Sequence, residues 1–208
     1  MKSSASPASW TRRQFLQRSA VLTGGLIAGP NILSAAQTPA NSRINVGVIG
    51  LGERGRDVMR AFMAQPDVRV IAVCDVNAER REIGKKQVNE GYGNQDCTAY
   101  LDMLELLARP DIDAVLIATG DNWHAEASIL AARAGKDMYC EKPMSVTIAE
   151  SRAVSDTMRR LGRIFQCGTQ RRSISNFRFA VHLARSGKLG RLTELHAEQS
   201  PGFLTVYD

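Results

Sequence analysis

Two hydrophobic periods alternate along residues 44–168, one typical of strands and one typical of helices. Short apolar runs rich in β-branched residues predict six strands, and apolar residues spaced three or four positions apart predict the helices between them. The predicted strands occupy residues 44–49, 68–74, 97–99, 114–118, 138–140 and 164–167, and predicted helices follow residue 55 and occupy 77–90, 101–108, 124–135 and 147–161. This alternation indicates an α/β fold with a doubly wound parallel sheet.

The pattern changes on both sides of this region. Residues 37–43 are small and polar, which indicates a linker, so the domain is predicted to span residues 44–168. After it, residues 177–186 read as a helix and residues 192–198 alternate like a strand. We therefore expect residues 169–208 to begin a second, α+β domain that is incomplete within this chain.

A glycine-rich turn follows the first predicted strand. Gly50 would permit a tight bend, Gly52 would let the backbone approach a pyrophosphate, and Gly55 would let the next helix lie close to the strand. This spacing between a strand and a helix is the dinucleotide-binding fingerprint of the Rossmann fold. The predicted cofactor contacts in the turn are Gly50, Leu51, Gly52, Glu53, Arg54 and Gly55.

An acidic residue ends the second predicted strand, at the distance where the fingerprint places a carboxylate for the ribose hydroxyls. That residue is Asp75, and its charge would repel a 2′-phosphate, which favours NAD over NADP. Asp75 could instead cap the next helix. Arg80 and Arg81 lie one helical turn further on, where they could soften the preference for NAD but are more typical of a solvated helix face.

Polar clusters follow the fourth, fifth and sixth predicted strands. Ligands bind in open α/β sheets at the carboxyl ends of the strands, so we expect these clusters to face one crevice. They are Thr119-Gly120-Asp121-Asn122-Trp123-His124, Glu141-Lys142-Pro143 and Gly168-Thr169-Gln170-Arg171-Arg172.

Together with the glycine fingerprint, these clusters resemble the Gfo/Idh/MocA oxidoreductase family. The resemblance covers residues 44–208, and residues 134–143, Ala-Gly-Lys-Asp-Met-Tyr-Cys-Glu-Lys-Pro, are its most specific stretch. It implies an NAD-dependent dehydrogenase that passes a hydride between a sugar or cyclitol CH–OH group and nicotinamide. A second activity within the family is NAD-dependent glycoside hydrolysis by exported enzymes, which usually lack the Glu-Lys-Pro lysine. A third possibility is a non-catalytic dinucleotide-binding module.

The resemblance also implies roles for individual residues. Lys142 would lie beside the nicotinamide and assist loss of the substrate hydroxyl proton, which an ammonium can do by stabilising a developing alkoxide. Glu141 would contact the nicotinamide riboside region, and Pro143 would fix the turn, with a cis bond as one way to do so. Further cofactor contacts are expected from Thr119, Asn122 and His124, substrate contacts or solvated positions from Gln170 and Arg171, and core packing from Trp123.

Complete family members carry a second α/β domain with a catalytic histidine. His196 lies too early in the sequence to match that histidine, so we assign it no role. We therefore expect a truncated chain that binds NAD but turns over poorly. Homo-oligomers are expected only where the second domain is complete, and the particular sugar or polyol depends on residues of that domain.

The charge and the cysteines exclude other classes of function. The net charge of +6 is concentrated at the N-terminus, because the first 36 residues carry Lys2, Arg12, Arg13 and Arg18 and no acid. The remainder shows no basic run interleaved with aromatics, so we expect no nucleic-acid partner. The four cysteines, Cys74, Cys97, Cys140 and Cys167, have no metal-ligand spacing and are expected to be buried free thiols, with no metal bound.

Residues 1–36 resemble a twin-arginine signal peptide. Residues 11–16, Thr-Arg-Arg-Gln-Phe-Leu, precede a weakly apolar stretch over residues 20–28, and small residues at 34 and 36 suit a signal peptidase. The stretch is too short to span a bilayer, so no stable membrane insertion is expected. The resemblance implies export to the periplasm by the twin-arginine translocation machinery.

Overall fold

A computed structural model describes residues 43–196 and residue 198, in which strands and helices alternate. The strands are β1 (Ile44–Ile49), β2 (Val68–Cys74), β3 (Thr98–Tyr100), β4 (Ala114–Ile117), β5 (Asp137–Glu141) and β6 (Phe165–Gly168). The α-helices are α1 (Glu53–Met63), α2 (Ala78–Tyr92), α3 (Met103–Leu107), α4 (His124–Arg133), α5 (Ile148–Leu161) and α6 (Ser175–Arg185). Short 3₁₀ turns cover Asp121–Trp123 and Gln170–Ser173.

The six strands form one parallel sheet in the order β3-β2-β1-β4-β5-β6. β1 pairs with β2 on one side and with β4 on the other, so the strand order reverses at β1. In an open α/β sheet this reversal creates a crevice at the carboxyl ends of the strands. The predicted doubly wound Rossmann sheet is confirmed.

Helices cover the sheet on both faces because the strands point apolar side chains in both directions. On one face, Val46 and Val48 of β1 lie in a buried cluster with Val58 and Met59 of α1. On the other face, a second cluster joins the sheet to α3, α4 and α5; its helical members are Leu106, Leu107, Ala125, Ala127, Ala131, Ala132, Val154 and Met158. The two cores pack against opposite faces of the sheet, and the candidate site lies on its carboxyl edge.

Local capping sets the ends of two helices. At the start of α5, the Thr147 hydroxyl accepts from the Glu150 N–H at 3.2 Å, and the Glu150 carboxylate accepts from the Thr147 N–H at 3.0 Å. This capping box satisfies two N–H groups that a helix leaves unpaired. The Asn77 side chain caps α2 in a similar way, by accepting from the Arg80 N–H. α2 and α5 both end at a left-handed glycine, which is the usual stop signal.

The predicted strand over residues 192–198 is wrong for the residues that the structure describes. Residues 192–196 and 198 are irregular, and Leu192 and Leu195 are exposed. A strand needs a neighbouring strand for its backbone hydrogen bonds, and alternation alone cannot supply one. α6 likewise buries no residue.

Across the described residues, no helix is both long and apolar enough to cross a membrane. The predicted signal and most of the predicted linker, residues 1–42, lie outside the description.

Candidate functional site

Two of the three glycines in the turn between β1 and α1 sit where a side chain would clash with the backbone. Gly50 has φ of +94°, and a Cβ on it would lie 2.5 Å from the Ala118 carbonyl group. A Cβ on Gly55 would lie only 2.1 Å from the Gly50 carbonyl oxygen. A Cβ on Gly52 would meet no atom within 4 Å, so the turn is open to an approaching ligand at that point.

Two side chains fix the turn through Leu51. The Leu51 N–H donates to Asp75 Oδ2 at 2.7 Å, and Arg56 Nη1 donates to the Leu51 carbonyl oxygen at 2.8 Å. Arg56 is absent from the residues that we predicted for the site. The available sequence signal was a basic residue directly after the third glycine, which is also typical of an exposed helix face.

Asp75 is buried, with 8% of its surface exposed. Its Oδ1 accepts from the Asn77 N–H at 2.9 Å, and the helix cap of α2 is Asn77 and not Asp75, so the capping alternative is wrong. Two hydrogen bonds leave lone pairs on an ionised carboxylate free for further donors. Arg80 is exposed, as expected for a solvated helix face. Arg81 differs from that expectation, because its Nη1 donates to the carbonyl oxygens of Asp75 and Val76.

These features fit a dinucleotide. Gly52 begins α1 without a side-chain cap, so the first N–H groups of that helix are left for an anion. The open space at Gly52 admits a pyrophosphate, and the Asp75 carboxylate stands at the end of the neighbouring strand β2. Glu53 and Arg54 are exposed at the start of α1, on the same turn.

His124 joins the loop after β4 to the loop after β5. Its ring is almost fully buried at 1% exposure. Nδ1 lies 2.5 Å from the Pro143 carbonyl oxygen and Nε2 lies 3.2 Å from the Thr119 carbonyl oxygen. The Lys142–Pro143 bond is cis, in line with the expectation for Pro143. The first two polar clusters therefore meet, as predicted, and both ring nitrogens of His124 face main-chain oxygens.

Glu141 is the centre of a second group of contacts. It is 4% exposed, its Oε1 accepts from Arg54 Nε at 2.9 Å, and the same oxygen forms an ion pair with Arg54 Nη2 at 2.7 Å. Gln170 Nε2 donates to the same oxygen at 2.5 Å and to the Tyr139 hydroxyl at 2.6 Å. Burial raises the pKa of Tyr139, so its phenol stays neutral. Tyr139 was missed by the sequence analysis, because an aromatic residue within a strand is typical of core packing.

Lys142 lies between Pro143 and Glu141, and its own side chain is exposed. Its N–H donates to Glu141 Oε2 at 3.1 Å, while its side chain makes no hydrogen bond or ion pair with any described residue. The structure thus presents a free ammonium group at the carboxyl edge of the sheet.

The remaining predicted residues have mixed placements. Asn122 is exposed at the same edge, and the Thr119 hydroxyl bonds only weakly to its neighbour's carbonyl oxygen. The expectation of core packing for Trp123 is wrong, because 56% of it is exposed in the 3₁₀ turn after β4. The Arg171 guanidinium lies 5.3 Å from the centre of the Phe177 ring, so it packs on α6.

Residues 44–169 match the Gfo/Idh/MocA family, described as an oxidoreductase family with an NAD-binding Rossmann fold. The chain belongs to this family. The matched region contains the glycine turn, Asp75 and Lys142, and it ends just before Gln170 and Arg171. Residues 44–169 are therefore the NAD-binding Rossmann domain of a Gfo/Idh/MocA protein.

Several Gfo/Idh/MocA relatives are inositol dehydrogenases. The chain is 33% identical over 156 residues to an inositol 2-dehydrogenase from Azotobacter vinelandii, a match that covers 74% of this chain and 44% of the relative. It is also 31% identical over 174 residues to a glycosyl hydrolase family 109 protein from Saccharopolyspora erythraea, covering 74% of this chain and 38% of that protein. The chain thus spans less than half the length of these two relatives.

A solved structure agrees with the fold. The scyllo-inositol dehydrogenase of Lactobacillus casei, with bound NAD(H) and scyllo-inositol, is 25% identical and superposes with a TM-score of 0.63. The match covers 71% of this chain and 42% of that chain. The Gfo/Idh/MocA assignment therefore rests on sequence and on fold together.

The thiols of this Gfo/Idh/MocA chain are all free, as expected from their apolar surroundings. Burial raises the pKa of Cys74 and of Cys140 to about 12, and that of Cys97 to about 11. Cys167 is half-buried, and its pKa is raised for the same reason. Within residues 43–196 and 198, no three histidine, cysteine or acidic side chains are grouped so as to hold a metal ion.

Proposed function

We propose that this chain carries the nicotinamide-binding part of an NAD-dependent dehydrogenase that oxidises a CH–OH group of a cyclitol or sugar. The observation that carries the proposal is Lys142, whose ammonium has no polar partner among the described residues and lies at the carboxyl edge of the sheet, on the loop that His124 and Glu141 hold. The inositol dehydrogenases among the relatives support a cyclitol as the first substrate to test.

The chain's own residues would hold the cofactor along the carboxyl edge. The open backbone at Gly52 and the N-terminus of α1 would receive the pyrophosphate. Asp75 would accept hydrogen bonds from ribose hydroxyls through its remaining lone pairs, and its negative charge would disfavour a 2′-phosphate. When bound, NAD supplies the hydride acceptor for alcohol oxidation.

Lys142 would act on the substrate hydroxyl. An ammonium next to that oxygen stabilises the negative charge that develops as the proton leaves. The side chain is free to do so because no described acidic residue neutralises it. Asn122, exposed on the adjacent loop, would offer a further hydrogen-bonding group to the nicotinamide or to the substrate.

Calorimetry on the full chain tests the cofactor half of the proposal. We expect NAD to bind more tightly than NADP, and NAD binding to weaken in Asp75→Ala. Absence of binding by either nucleotide would overturn it.

Ligand-observed NMR tests the substrate half. We expect saturation transfer from the full chain to myo-inositol or scyllo-inositol only when NADH is present, and less transfer in Lys142→Met. The matched control is Lys188→Met, which removes an exposed lysine after α6. Equal transfer in the wild type and in Lys142→Met would contradict the role of Lys142.

A second candidate is NAD-dependent glycoside hydrolysis, favoured by the similarity to the glycosyl hydrolase family 109 protein. By the family resemblance, such enzymes usually lack the lysine at position 142, so we rank this function below dehydrogenation. The two candidate activities can be distinguished with a nitrophenyl glycoside as substrate. Release of nitrophenol that requires NAD, with no net formation of NADH, would favour hydrolysis.

We also propose export through the twin-arginine pathway, on the basis of residues 11–16 and the acid-free first 36 residues. The pathway carries folded proteins, so the Rossmann domain would cross the membrane already folded. The double variant Arg12→Lys, Arg13→Lys should remain in the cytoplasm of a bacterial host, as followed by cell fractionation. Export equal to that of the parent chain would contradict the proposal.

A further inference from the structure

The two neighbours of Lys142 are held by different parts of the fold. Glu141 precedes it and contacts α1, whereas Pro143 follows it and contacts α4. Between them, the Lys142 side chain has no described partner of its own. A flexible side chain without a polar partner depends on its backbone for its position.

His124 holds the Pro143 side. A carbonyl oxygen only accepts hydrogen bonds, so Nδ1 must carry the proton that it shares with Pro143. The other ring nitrogen faces the Thr119 carbonyl oxygen. With 1% of its surface exposed and both nitrogens on main-chain oxygens, the ring has no polar atom to offer to a ligand.

Arg54 holds the Glu141 side. Its Nε–H donates to Glu141 Oε1, and its Nη2 forms an ion pair with the same oxygen, so the hydrogen bond is charge-assisted. The Glu141 side chain is 95% buried, so the acidic partner of this pair is shielded from solvent. The other carboxylate oxygen of Glu141 accepts from the Lys142 N–H. Two hydrogen bonds in series, both to Glu141, therefore connect the first turn of α1 with the main chain of the lysine.

We propose that Arg54 and His124 are positioning residues, which fix the backbone of Lys142 from two sides so that its ammonium is presented to the crevice. This departs from the role of direct cofactor contact expected for both residues from the sequence. The catalytic value of the arrangement rests on the proposed function of Lys142, whereas the fixing of its backbone does not. Such preorganisation limits the space that a flexible lysine must search.

Amide hydrogen exchange of Lys142, measured by NMR on the full chain without nucleotide, tests the proposal. Arg54→Leu and His124→Leu should each accelerate exchange of the Lys142 N–H by about tenfold, because each removes a restraint on its loop. Exchange of the buried Val48 amide in β1 should not change. Matched controls are Arg60→Leu, at an exposed arginine of α1, and His182→Leu, at an exposed histidine of α6.

Conservative variants distinguish positioning from a general loss of stability. His124→Asn keeps an N–H close to the place of Nδ1 and should restore most of the protection, while Arg54→Lys keeps the charge but loses the Nε–H donor and should restore part of it. These two variants decide the matter if the leucine variants do not fold. Protection at Lys142 that matches the wild type in every folded Arg54 and His124 variant would overturn the proposal.

A nucleotide-binding measurement provides an independent test of the proposed function. A wild-type chain that fails to bind NAD would contradict that function, yet the exchange rates would still report on the loop. Conversely, NAD binding with unchanged Lys142 exchange in the variants would contradict the positioning role alone.

Discussion

At the scale of single residues, the three glycines of the turn are required for three different reasons. Gly50 has a backbone angle that other residues rarely adopt, and Gly55 lies against the Gly50 carbonyl oxygen. Gly52 has neither constraint within the protein. We therefore propose that the absence of a side chain at Gly52 serves ligand binding and not the fold.

This difference predicts opposite outcomes for two alanine variants. Gly52→Ala should keep the thermal midpoint of the wild type but lose NAD affinity, because its methyl group would occupy the path of the pyrophosphate. Gly55→Ala should lower the thermal midpoint, because its methyl group overlaps a carbonyl oxygen. Thermal unfolding and calorimetry on both variants check this, and a destabilised Gly52→Ala with normal NAD affinity would contradict it.

The Asp75 carboxylate holds the glycine turn through the Leu51 N–H, and we propose that it also binds the ribose. Asp75→Asn should weaken NAD binding by about tenfold, since the neutral amide is a poorer and less complete acceptor. The same change should raise the NADP-to-NAD affinity ratio, because a negative charge near the 2′-phosphate is removed. Competitive titration of the two nucleotides measures both effects. Asp67→Asn, at an exposed aspartate, is the control, and an unchanged ratio would refute the specificity role.

The sequence predicted the chemistry of the turn but not the contacts that fix it. Glycine spacing reports backbone geometry directly, so the positions of Gly50 and Gly55 could be interpreted without a structure. The contacts of Arg56 with Leu51 and of Arg81 with two carbonyl oxygens could not, because long basic side chains suit many partners. Exposure of Trp123 was also missed, since large aromatic residues are usually buried.

At the scale of elements, the hydrophobic periods in the sequence were sufficient to locate a segment wherever that segment packs on two sides. Each predicted strand of the sheet lies within one residue of the observed one. The central strands are continuous apolar runs bounded by polar turns because both of their faces are buried. The segment at residues 192–196 has the same alternation but no neighbour in the described structure. Pairing is a property of the whole sheet and cannot be deduced from one segment.

The capping box of α5 offers a test at this scale. Thr147→Ala removes the acceptor for the Glu150 N–H and should destabilise the domain by about 1 kcal/mol. For a domain of this size, that corresponds to a fall of about 2–4 °C in the thermal midpoint. Thr193→Ala, at an exposed threonine in an irregular segment, should leave the midpoint unchanged. Equal midpoints for the two variants would show that the box contributes nothing.

At the scale of the whole molecule, the buried thiols make the free energy of unfolding fall as the pH rises into the alkaline range. The folded chain keeps Cys74 and Cys140 protonated up to about pH 12, whereas in the unfolded chain they ionise near their ordinary pKa of about 8.5. The unfolded state therefore loses protons first, so the stabilisation is complete below that value and is lost as the pH rises toward 12.

Urea unfolding at a series of pH values measures this loss. The double variant Cys74→Ala, Cys140→Ala should show a shallower decline in the free energy of unfolding above pH 9 than the wild type. Tyrosines and lysines also titrate there but are common to both proteins, so the difference isolates the thiols. Identical slopes would contradict the burial argument.

The pairing of β1 with β4 also has a consequence for the order of assembly. The β1–α1–β2 segment is local and can form early, but Ile49 meets Ile117 only after a long loop has closed. The crevice lies at this junction, so it is completed by the most distant contact of the central sheet. Capture of NAD would thus require that β1 and β4 have already paired, which would make the nucleotide a reporter of this step in assembly.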